Sequence, residues 1–61
     1  MTKYTDSDAA EDTGVDSREV SEAWHQARND HIGRGGGDDD LYDTSWRDCS
    51  GHLDPVHFSF N

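Results

Sequence analysis

The chain has 61 residues, of which 14 are acidic and five basic, for a formal net charge of −9. Leu, Ile, Val and Phe number eight, about 13% of the chain, below the roughly 20% at which a highly charged chain tends towards disorder. A large self-sufficient core is thereby excluded, and with a single cysteine, Cys49, so is an intrachain disulfide to replace it.

Eleven of the acids are Asp, and the only lysine is Lys3. Strong acidity with almost no lysine fits a salt-saturated cytoplasm, where a Debye length of about 3 Å at 1 M removes self-repulsion. Phosphate binding needs clustered bases, whereas Arg18, Arg28, Arg34 and Arg47 are scattered, so direct nucleic-acid contact is not expected. No apolar run suits a signal peptide or a membrane span. The expected location is the cytoplasm, or a particle or virion assembled there.

Residues 1–14 are polar and acidic without periodicity, and predict a disordered or extended arm with Tyr4 as its one large apolar anchor. Residues 15–33 carry a capped amphipathic helix, predicted over about 17–31. Asp16 is a suitable N-cap, Glu19 completes a capping box, and Val15 with Val20 forms a hydrophobic staple. Val20, Ala23, Trp24, Ala27 and His31 recur along one face, and Gly33 is placed to end the helix in the left-handed conformation.

Residues 34–40 predict a Gly/Asp linker. Residues 41–61 form a turn-rich aromatic segment, in which Leu41, Tyr42 and Trp46 suit a short helical turn capped by Asp43 or Thr44. Its tail alternates, with Val56, Phe58 and Phe60 facing one way and His57 and Ser59 the other, as in a half-buried strand. No second strand is evident to pair with it, which points to the helix or to another protein's sheet. The expected fold is a small, mostly irregular chain with one amphipathic α-helix and a short C-terminal strand-like segment, without an independent large core.

Four groups of residues carry candidate chemistry. The stretch RGGGDDDLY, residues 34–42, resembles one turn of the calcium-binding nonapeptide repeat family: Gly35, Gly37, Asp39 and Leu41 match, and Arg34 replaces the first glycine. The resemblance implies calcium, but that family holds its ions between stacked turns, about three of which are needed for stability, and this chain has one. A looser cation site from Asp38, Asp39, Asp40 and Asp43 is the other expectation for this stretch, against a solvated acidic linker. Cys49, His52 and His57 have spacing similar to part of a zinc knuckle, and a zinc would supply the missing staple. The same cysteine and histidines offer a nucleophile and a base, but a chain of this size is not expected to build a water-excluding pocket around them, so an enzyme is not expected.

The fourth group is apolar: Trp24, Tyr42, Trp46, Val56, Phe58 and Phe60 are candidates for partner contact, the aromatic ones being of the kind enriched at interface hot spots. Together these features predict a non-enzymatic acidic accessory or structural subunit, ordered against a larger protein or multi-subunit assembly, with no membrane contact. The alternatives are an acidic inhibitor or DNA mimic that occupies a basic protein site, and a small zinc-stabilised module.

Overall fold

The computed structural model describes residues 3–47 and 51–60. It contains two α-helices, two 3-10 turns and a two-stranded antiparallel sheet within 30 × 23 × 17 Å.

The segment read as a disordered arm contains helix α1, Asp6–Thr13. Its apolar content is slight, so the helix is set by its ends. The Thr5 hydroxyl accepts from the Asp8 N–H, and the Asp8 carboxylate accepts from the Thr5 N–H at 2.9 Å, a reciprocal capping box. Gly14, at φ 70°, closes the other end. Ala9 is fully buried against the second helix. Ahead of α1, the Tyr4 N–H donates to the Leu41 carbonyl at 3.0 Å, and the Tyr4 ring packs on the core. Burial, and then the hydrogen bond to Asp12, push the Tyr4 hydroxyl above its ordinary pKa.

Helix α2, Ser17–Gly33, is the spine of the molecule. The Asp16 side chain caps it by accepting from the Arg18 N–H. Glu19 does not close the expected capping box; its carboxylate turns outward to the C-terminal segment. Val20, Ala23, Trp24 and Ala27 are buried, as their spacing predicts. The C-terminus differs by two residues from expectation. Gly33 remains helical and Gly35, at φ 97°, takes the left-handed position. The Gly35 N–H donates to the Ile32 carbonyl and the Gly36 N–H to the His31 carbonyl, which is a Schellman closure.

The predicted linker is shorter than expected. A 3-10 turn, Asp38–Tyr42, begins inside it and buries Leu41 completely. Thr44–Trp46 is then strand β1 rather than part of a helical turn. A second 3-10 turn, Pro55–His57, leads into strand β2, Phe58–Phe60. The tail therefore finds its mate within the chain: Thr44 pairs with Phe60, Ser45 with Ser59 and Trp46 with Phe58. Phe58 and Phe60 face the core and Ser59 faces water, as predicted. Val56 does not join them, because the turn begun by Pro55 breaks the alternation and leaves it 75% exposed. The core is one small cluster built from α1, α2, the Leu41 turn, Leu53 and β2.

Candidate functional site

The C-terminal half of α2 and the segment from Pro55 to Phe60 do not close completely on each other. Between them lies an open hollow of about 380 Å³, bounded by Ala27, Asp30, His31 and Arg34 on the helix and by Phe58, Ser59 and Phe60 on β2. Positions 27, 30, 31 and 34 share one side of a helix, which is why they form a single wall. Pro55 and Val56 border this hollow and also a second one, of about 550 Å³, whose other wall is Gln26, Asn29 and Asp30. Val56 thus stands in solvent between two depressions on the same helix.

The first hollow runs along the edge of β2, because three successive residues line it although their side chains alternate between the two faces. The hydrogen-bond phase of the sheet follows from Arg47, whose N–H donates to the His57 carbonyl at 3.0 Å. That makes Ser45 and Ser59 the next directly bonded pair, so the backbone groups of Phe58 and Phe60 point away from β1. The Phe58 N–H is taken by the Pro55 carbonyl. The Phe58 carbonyl and the Phe60 N–H remain on the open edge, since the sheet has two strands among the described residues.

His31 fixes one end of the hollow. Its Nε2 lies 2.9 Å from Asp40 Oδ2, and its ring sits 5.7 Å from the ring of Phe60. The ring lies over Gly36, where a Cβ would overlap it. The hydrogen bond from His31, followed by that from the Gly37 N–H, holds the Asp40 carboxyl below the ordinary range. Two further histidine–carboxylate contacts tie α2 to other segments. His25 lies 3.5 Å from Asp6 of α1, and His52 Nδ1 lies 3.2 Å from Glu19. Asp6 also accepts from the Ser21 hydroxyl at 2.8 Å, which is the main cause of its lowered pKa.

The residues proposed for partner contact fall into two sets. Trp24, Phe58 and Phe60 are buried in the chain's own core, Trp24 edge-on to Phe60 with centroids 5.7 Å apart. Trp46 is half-buried against that core. Tyr42, 41% exposed, and Val56 stand in solvent. Sequence reasoning placed Val56 in the strand, where the structure has a 3-10 turn, and did not single out Ala27, Asp30 and Arg34 as one wall of a hollow.

The zinc expectation falls partly outside the described residues, because Cys49 lies there. His52 is turned between Glu19 and Asp54, with its Nε2 3.1 Å from Asp54, while the Nδ1 of His57 is buried without a partner among the described residues. In the stretch that resembles a calcium repeat, Asp38 pairs with Arg28 at 3.3 Å and Asp40 with His31. Among the described residues, no group of three or more His, Cys, Asp or Glu side chains is arranged to hold a metal ion. No helix among them is long and apolar enough to cross a membrane. Comparison with protein families, with curated proteins and with solved structures finds no match to this chain.

Proposed function

We propose that the chain is a small, non-enzymatic acidic accessory subunit that docks on a larger protein or multi-subunit assembly at high salt. The observation that carries this reading is Val56. It is 75% exposed between two hollows, well above the other exposed large apolar residues described, Tyr42 at 41% and Ile32 at 37%. Water contact at Val56 is unfavourable, and a partner side chain in either hollow would remove it. The charge pattern supports a protein partner over nucleic acid. Arg28 and Arg34 are each held by an aspartate, so neither is a spare phosphate ligand.

The test is sedimentation of the tagged chain from its own host, lysed at the host's ionic strength. The chain is expected in a fast-sedimenting particle or complex, and Val56→Ser should shift it towards the slow fractions. Recovery of the unaltered chain only as a free monomer refutes the proposal. The acidic-inhibitor alternative makes a different prediction, because association through charge alone should fall away steeply as salt rises.

A further inference from the structure

We infer that the groove between α2 and β2 accepts an extended, cationic segment of the partner, which adds to the open edge of β2 as a third strand. This rests on the accessory-subunit proposal and specifies how the docking occurs.

Three observations converge on it. First, the hollow of about 380 Å³ lies along the strand's edge rather than on one of its faces. Second, that edge presents the Phe58 carbonyl and the Phe60 N–H to the hollow, unpaired among the described residues. An extended backbone supplies the complementary donor and acceptor at the usual strand spacing of about 4.8 Å. A partner helix cannot, since its own N–H and C=O groups are bonded internally. Third, the groove offers such a strand both apolar and charged groups. Val56 and Ala27 line it, and Asp30, exposed and bordering both hollows, stands where it can receive a cation. Arg34 engages Oδ2 of Asp30 at 3.2 Å, leaving Oδ1 for an incoming base.

Charge selects among the occupants. A second copy of this chain could pair edge to edge, but its own edge, residues 56–60, carries no Arg or Lys to meet Asp30, and in dilute salt the two charges of −9 also repel. An acidic segment would set a carboxylate directly against Asp30. A segment with Arg or Lys flanking β-branched residues satisfies both the edge and the field.

The test uses the full chain, isotopically labelled, with three synthetic probes. These are the capped pentapeptide Arg-Val-Thr-Val-Arg, its fully N-methylated form, and its acidic counterpart Glu-Val-Thr-Val-Glu. The basic peptide should shift the amide signals of Phe58, Ser59 and Phe60 and slow exchange of the Phe60 N–H. N-methylation, which removes backbone donors, and the acidic sequence should each weaken binding by about tenfold. Val56→Ser should weaken it without altering the signals of the buried core. Shifts confined to other surfaces, no response to any probe, or equal binding of the N-methylated peptide would overturn strand addition. So would self-association through β2 in the unliganded protein. If the chain still sediments with an assembly in any of those cases, only the docking mode is wrong. If the peptide binds as described but the chain sediments alone, strand addition stands and the accessory-subunit proposal fails.

Discussion

Trp24 shows how thin the margin is in a core this small. It is 5% exposed and packs edge-on against both His25 and Phe60, yet its indole N–H meets no acceptor among the described residues. Trp24→Ala should cost about 3–5 kcal/mol, comparable with the whole stability of a domain of this size. Trp24→Phe keeps the ring contact and removes the unpaired donor, so its net cost should stay below about 1.5 kcal/mol. Urea titrations followed by circular dichroism will separate the two; equal losses would mean that the N–H is satisfied after all. Gly36 is constrained differently. Its φ is ordinary, but the His31 ring occupies the place of a Cβ. Gly36→Ala should therefore cost about 1–3 kcal/mol and displace His31 from Asp40. In the background of His31→Ala that cost should largely vanish, which a double-mutant cycle measures directly.

At the scale of elements, α2 was legible because four buried positions repeat at helical spacing behind a capping Asp16. The rest of its ends was less so. Glu19 found a better partner in Leu53 and His52 than in its own backbone, and the glycine run offered several stopping points, of which Gly35 was used. Helix α1 was missed because its only apolar residues are Ala9 and Ala10; its signal was Thr5, Asp8 and Gly14, a cap at each end of a polar stretch. The groove was not legible at all. Its walls come from residues 26–34 and 55–60, and only tertiary packing brings them together. The contacts that join elements also predict the acid response. Asp6 and Asp40 both have lowered pKa values in the folded chain, so the unfolded chain binds protons more tightly. Their contribution is complete above the ordinary Asp pKa near about 4 and is lost as pH falls through their folded values. Thermal melts between neutral pH and pH about 2.5 should show this decline, and Asp40→Asn should flatten part of it. An unchanged acid limb in that variant would remove Asp40 from the account.

For the whole molecule the governing quantity is the charge of −9 on a body 30 Å long. Self-repulsion acts across that length at low salt and is almost fully screened at 1 M, where the Debye length is about 3 Å. Stability should therefore rise from dilute buffer to multimolar potassium chloride, read as an increase in urea midpoint, and a flat response would remove the reason to place this chain in a saline cytoplasm. Glu19 has a further consequence. One of its oxygens lies 3.3 Å from the Leu53 amide, 34 residues along the chain, and 3.2 Å from His52. It closes a loop of 34 residues, where a disulfide would otherwise stand, with a hydrogen bond in place of a covalent link. The molecule consequently has a seam. Opening there would lift the segment from Leu53 to Phe60 off α2 while the two helices stay joined through Asp6, Ser21 and His25. Native-state hydrogen exchange should then resolve two tiers, with the Ser59 amide released at lower free energy than those between Val20 and Ala27. A partner strand arriving at β2 would meet the looser tier, and its binding would be felt as the closing of that seam.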